Sequence, residues 1–161
     1  ASHGDWYYQQ IDLGYNYRIT DLQCTLGSSQ MKRIDSFLAR RREIAATYDR
    51  KLQGLPLILP KQLDCVQSAW HLYVIQIDET KAGKNRKEVF DFLRSKGIGV
   101  NVHYIPVHTQ PYYQQKFGFQ TGDFPVAEAY YSQAISLPMY AELSLEQQQQ
   151  VINAVKEALA R

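Results

Sequence analysis

Two imidazoles and three phenols crowd into His103-Tyr-Ile-Pro-Val-His108-Thr-Gln-Pro-Tyr-Tyr113. An ordinary core needs few such side chains, and their donors and acceptors suit ligand contact. Pro106 and Pro111 prevent a regular element from continuing through the stretch. The β-branched run Ile98-Gly-Val-Asn-Val102 ahead of it predicts a strand reaching to residue 104. A strand entering a proline-stiffened loop fixes the direction of its side chains, so the loop reads as a binding surface. The competing reading is plain packing, in which each tyrosine buries its ring and leaves its hydroxyl wet. A metal site is set aside. Zinc needs three or four ligands with a supporting shell, and the remaining histidines are only His3 and His71.

The elements that position this loop sit in a chain of 161 residues with 45% hydrophobic composition, enough for one domain or a domain with an arm. A net charge of +2 gives no case for a nucleic-acid partner. The one basic cluster, Arg40-Arg41-Arg42, lies in a helical pattern beside Glu43 and reads as a solvated helix face. Cys24 and Cys65 match no metal or redox spacing, which predicts reduced thiols in a cytoplasmic protein. No apolar run approaches membrane-spanning length and no signal sequence is evident, so no membrane partner is expected. Ala1-Ser-His-Gly-Asp5 opens as if cut from a longer chain, and a fragment is the expectation.

Residues 1–19 are aromatic without period (Trp6-Tyr-Tyr8, Tyr15, Tyr17) and predict an arm that lies across another surface. Thr20 caps a helix beginning at Asp21, weakened by Gly27-Ser28-Ser29. A stronger helix carries Ile34, Phe37, Leu38, Ala45, Tyr48 and Leu52 inward, the arginines mostly opposite, and ends at Gly54 and Pro56. Residues 57–59 form a short extended piece, and Trp70–Ile77 reads as a central strand. An amphipathic helix from Arg86 to Lys96 and the strand at 98–104 then give β-α-β order. Pro111–Phe117 reads as a short helix, followed by one that Asp123 caps, an extended piece at 135–139, and a last helix. That last helix opens on the capping box Ser144–Gln147, buries Val151, Ile152, Val155 and Leu159, and turns Gln147–Gln150 outward. The sum is an α+β (α/β) fold: a small sheet flanked by helices over 55–161, with an aromatic and helical arm over 1–54.

Several segments, in order, resemble one family. Gly14-Tyr-Asn-Tyr-Arg-Ile-Thr-Asp-Leu-Gln23 is similar to the GxNxR-(M/I)-(S/T)-(D/E)-x-Q segment of the DegT/DnrJ/EryC1/StrS sugar aminotransferases. Arg40-Arg-Arg-Glu-Ile-Ala45 with Tyr48 resembles that family's next helix. His71-Leu-Tyr-Val-Ile75, Gly97-Ile-Gly99, His103 to His108 with Gln110-Pro-Tyr112, and Ser136-Leu-Pro138 follow in its order. The resemblance covers nearly the whole chain. Within the family it looks closest to the transaminases that make UDP-4-amino-4,6-dideoxy-N-acetyl-β-L-altrosamine on the pseudaminic acid route. One departure is Gln23-Cys24-Thr25 where the family often has Gln-Ala-Ala.

The resemblance implies the C-terminal small domain of a fold-type I, aspartate-aminotransferase-like enzyme that uses pyridoxal 5′-phosphate. Such an enzyme passes an amino group, typically from glutamate, to a 4-keto nucleotide sugar. It also implies that the cofactor domain, with its Schiff-base lysine, would precede Ala1. No lysine here matches that motif, so no catalytic residue and no covalently bound cofactor are expected in this chain. By resemblance Asn16 and Arg18 are cofactor-binding, Asn16 reaching the cofactor phosphate of a neighbouring subunit and Arg18 standing near anionic groups. His103, Tyr104 and His108 are substrate-binding by the same resemblance, hydrogen-bonding to diphosphate and sugar hydroxyls or stacking on a base. The expected partners are a nucleotide sugar and a second copy of the chain, docked through the arm. Two alternatives stay open: a stand-alone, non-enzymatic module that binds nucleotide sugar or pairs with a full-length subunit, and a plain self-interacting domain.

Overall fold

Hydrogen bonds that cross from helices to distant loop carbonyls organise much of this structure, a computed structural model that describes residues 9, 11–15 and 17–160. Contacts divide the chain into two units, Ala1–Ile34 and Asp35–Arg161. In the first unit, helix α1 (Asp21–Met31) opens on Thr20, whose hydroxyl accepts from the Gln23 N–H while the Gln23 side chain accepts from the Thr20 N–H. This capping box strengthens the start that Thr20 predicts. Gly27-Ser28-Ser29 does not end the helix, which continues to Met31 with no buried residue. Ile11, Leu13, Tyr15 and Tyr17 are exposed. Trp6, Tyr7 and Tyr8 of the expected arm lie outside the described residues.

The second unit is built on helix α2 (Ile34–Leu52), which buries Ile44, Ala45, Tyr48 and Leu52. That stripe belongs to the same core as the sheet. The contacts therefore group α2 with the sheet and draw the division after Ile34, where the sequence reading drew it at residue 54. Strands β1 (Leu57–Ile58), β2 (Tyr73–Ile77) and β3 (Ala134–Leu137) form an antiparallel sheet in the order β1-β2-β3. Pairing sets Leu57 opposite Ile77 and Tyr73 opposite Leu137. β2 is central, as its apolar composition predicts, and buries Tyr73, Ile75 and Ile77 on one face. The connecting helices are α3 (Glu79–Ala82), α4 (Arg86–Ser95), α5 (Pro111–Phe117) and α6 (Pro125–Gln133), with a 3-10 turn at Val107–Thr109. Helix α7 (Leu145–Leu159) closes the domain on its Ser144–Gln147 capping box and buries Val151, Ile152, Val155 and Leu159.

Four expectations are corrected. The predicted strand at 98–104, and with it the β-α-β order, is absent: Asn101 makes one isolated bridge to Ser136. The next antiparallel positions fail on both sides. Residue 99 would face Pro138, which has no N–H to give. Residue 103 would face Ala134, whose N–H already donates to the Tyr130 carbonyl at the end of α6. Asp123 does not cap α6. It accepts the Gln120 N–H at 2.8 Å, and the helix starts after Phe124 without a side-chain cap.

The glutamine run is not wholly an outer face. Gln148 is 2% exposed and donates to the Ile44 carbonyl at 2.9 Å, joining α7 to α2. Nor is the arginine cluster wholly a solvated face, although Arg42 is exposed. Arg40 donates to the Leu143 carbonyl at 2.7 Å. Arg41 donates to the carbonyls of Trp70 at 2.9 Å and Met139 at 3.1 Å. Tyr48 adds a bond to the Pro138 carbonyl at 2.9 Å. Burial of its ring, against water that would solvate a phenolate, holds the Tyr48 hydroxyl far above its usual range, so it remains a donor.

Candidate functional site

The loop that the sequence singles out leaves the sheet at the Asn101–Ser136 bridge. Ser136 is buried, paired with Val74 on one side and with Asn101 on the other. Its hydroxyl lies 2.7 Å from His103 Nδ1, while Asn101 Nδ2 stands 3.5 Å from His103 Nε2. The imidazole is thus positioned from the sheet itself. Tyr104 follows across a cis peptide bond, its ring edge-on to His103 at 4.6 Å and largely exposed.

His108 sits in the 3-10 turn and is 7% exposed. A carboxylate can only accept, so His108 donates from Nε2 to Glu128 Oε1, 2.8 Å away on α6. The same oxygen takes the Gly122 N–H at 2.8 Å. Gly122 holds φ at +101°, a conformation that side chains rarely adopt. The His108 N–H, followed by the Gly122 N–H, keeps the Glu128 carboxyl below the usual carboxylate range. Phe124 packs against the His108 ring at 4.7 Å.

Two grooves flank these side chains. One, of about 450 Å³, is lined by Pro106, His108, Tyr113, Phe117, Phe119 and Phe124, among others. The second, of about 650 Å³, shares Pro106 and Phe124 and runs along Tyr104, Val126 and Tyr130. These sizes fall in the range of small-molecule sites, mostly apolar with a few placed polar groups. Of the three predicted residues, His103 and Tyr104 are in ring contact, Tyr104 lines the second groove and His108 the first. Arg18 is exposed and belongs to the first unit, and Asn16 lies outside the described residues. Ser136 and Glu128 orient the two imidazoles; the sequence singled out Ser136 only within the Ser136-Leu-Pro138 resemblance, without this role, and did not single out Glu128. No local pattern marks these roles, since the two residues reach their histidines from 33 and 20 residues away.

The lysines do not fit a covalent cofactor site. All but Lys84 are exposed. Lys84, half-buried, donates to the Ala158 and Ala160 carbonyls at the end of α7. Lys81 and Lys96 pair with Asp78 and Glu157, and Lys116 bonds to the Tyr112 hydroxyl. A Schiff-base lysine needs a desolvated or cation-flanked setting to be nucleophilic, and no lysine here has one. Among the described residues no three of His, Cys, Asp and Glu cluster as metal ligands, and no helix is long and apolar enough to cross a membrane.

Comparison with known proteins gives one family. The model of the DegT/DnrJ/EryC1/StrS aminotransferase family matches residues 1–156. The Bacillus subtilis spore coat polysaccharide biosynthesis protein SpsC is 45% identical over 159 residues, covering 98% of this chain and 41% of SpsC. Among solved structures, Helicobacter pylori PseC, an aminotransferase involved in the biosynthesis of pseudaminic acid, superposes with a TM-score of 0.83 at 30% identity, covering 99% of this chain and 42% of PseC. The PLP form of Streptococcus pneumoniae Spr1654, described as a sugar aminotransferase, gives a TM-score of 0.84 at 29% identity, covering 96% of this chain and 39% of Spr1654. The chain thus spans about two fifths of the length of the relatives it matches.

The His108–Glu128 pair has a pH signature. Because folding lowers the Glu128 pKa below its ordinary value of 4.5, the bond's contribution to stability is fully present above that value. It is lost as pH falls through the lower folded value. Denaturant midpoints measured from neutral pH to pH 3 are expected to fall less steeply in Glu128→Gln than in the parent chain below pH ~4.5. Superimposable slopes for the two proteins would show that the pair carries no such linkage.

Proposed function

The chain belongs to the DegT/DnrJ/EryC1/StrS aminotransferase family, and from that we propose that it forms the C-terminal part of a pyridoxal-phosphate enzyme acting on a 4-keto nucleotide sugar. Glutamate is the amino donor in this reading, and the product is an amino sugar of the pseudaminic acid type. This part's task is to bind and orient substrate, while the lysine that holds the cofactor covalently lies outside it. The observation that carries the reading is the two oriented imidazoles of one loop: His103 held by Ser136, and His108 held by Glu128 where it lines an aromatic groove. Such a surface offers hydrogen bonds to diphosphate and sugar hydroxyls and ring faces to a base.

Asn16 and Arg18 serve in this proposal as contacts to anionic groups of the cofactor site, Asn16 in a neighbouring subunit. The exposed apolar side chains Ile11, Leu13, Tyr15 and Tyr17 support self-association through the arm, and the same feature suits the alternative of a non-enzymatic dimerisation or sugar-binding module. On either reading the isolated chain does not transaminate.

Two measurements test these points. The chain is mixed with pyridoxal phosphate, reduced with borohydride and mapped by peptide mass. Scattered or absent lysine labelling is expected, and one selectively labelled lysine whose adduct responds to glutamate would overturn the non-catalytic reading. Sedimentation across a wide concentration range is expected to show a reversible rise in mass; a monomer at every concentration removes the arm from the account.

A further inference from the structure

Of the three consecutive arginines on α2, Arg40 and Arg41 are occupied by loop carbonyls. Arg42 makes no hydrogen bond or ion pair with any described residue. It lines a cavity of about 290 Å³ between α2 and residues 60–70, together with Asp49, Gln62, Gln67 and Trp70. This cavity is built from residues that the sugar-site reading does not use.

Its walls are fixed. Trp70 stands at φ +49°, a conformation that a bulky residue adopts only when its surroundings impose it. Here its N–H donates to Ser68 Oγ at 3.0 Å, its carbonyl takes the Arg41 guanidinium, and its indole packs on Tyr73 at 5.6 Å. Asp49 Oδ1 accepts the Tyr73 hydroxyl at 2.5 Å, and its second oxygen has no donor among the described residues. Ala45 and Ala46 line the helix side between Arg42 and Asp49, keeping that stretch of wall low.

We propose that this cavity binds a compact zwitterion of amino-acid size, its carboxylate on Arg42 and its ammonium between Asp49 and the Trp70 indole. A guanidinium fork matches a carboxylate in two parallel bonds. An ammonium gains from a carboxylate oxygen and from an indole face together. Arg42 and Asp49 are two helical turns apart, about 10 Å of rise, and both line this one cavity. The volume is at the low end for ligand sites, too small for most larger metabolites. Gln62, whose Oε1 accepts the Ser68 N–H, keeps its amide N–H groups for a polar side chain, and Gln67 adds a second amide.

The test is a fluorescence titration in a Trp6→Phe background, which leaves Trp70 as the reporter. The probe is L-glutamine, with succinate as the carboxylate-only control and ethylammonium as the amine-only control. Saturable binding of L-glutamine with a Kd of ~1 mM or tighter is expected, with both controls at least tenfold weaker. Arg42 is exposed, so Arg42→Gln preserves the fold, and it is expected to weaken binding tenfold or more. No saturable response to L-glutamine, an equal response to either control, or unchanged affinity in Arg42→Gln would each overturn the proposal.

Discussion

The Arg41 guanidinium is the interaction on which the arrangement of the second unit depends. From the middle of α2 it reaches the Trp70 carbonyl just before β2 and the Met139 carbonyl just after β3. These carbonyls lie outside the strand ladders and require a donor when shielded from water. One guanidinium nitrogen, Nη1, supplies both and also lies 3.3 Å from the His71 carbonyl. Tyr48 takes the neighbouring Pro138 carbonyl one pair of turns further along the same face. Strands β2 and β3 are therefore tied at one end to a single helix, and the core of Ile44, Tyr48, Tyr73, Ile75 and Ile135 fills the space behind that tie.

The candidate site follows from this tie by short steps. With residues 138 and 139 held, β3 presents Ser136 at a fixed place on the sheet edge. Ser136 receives Asn101 as a single bridge partner and sets the His103 ring through its hydroxyl. Five residues later the 3-10 turn delivers His108 to Glu128 on α6, the helix that runs directly into β3. Both imidazoles are thus anchored to elements flanking the same strand. The surface between them is preorganised, so ligand binding there avoids much of the cost of ordering side chains. The Trp70 cavity depends on the same guanidinium, whose Nη1 holds the Trp70 carbonyl.

Much of this was legible in the sequence, and the omissions share a cause. The apolar periodicity of α2, the composition of β2 and the Ser144–Gln147 box each mark their element, because the signals are local. The helix residues misread are polar ones whose partners are far away along the chain: Arg40, Arg41 and Gln148. For two of them a signal was available. Arg41 precedes Ile44, Ala45, Tyr48 and Leu52 at helical spacing, and Gln148 precedes Val151, Ile152, Val155 and Leu159 in the same way, so both fall on buried faces. The missing strand at 98–104 has no local signature, since it depends on Pro138 and Ala134 being unable to pair. His103, Tyr104 and His108 were legible by type and spacing, but Ser136 and Glu128 become visible only in the folded chain.

The most direct test of the Arg41 tie is hydrogen exchange and denaturant unfolding of Arg41→Met, which keeps an apolar stem and removes the donors, against the parent chain. Charge-assisted hydrogen bonds to two shielded carbonyls predict a loss of about 2–3 kcal/mol, with amides near residues 70–73 and 136–140 exchanging faster together. Unchanged stability, or faster exchange at only one of these two segments, would contradict the claim that one guanidinium holds both strands in place.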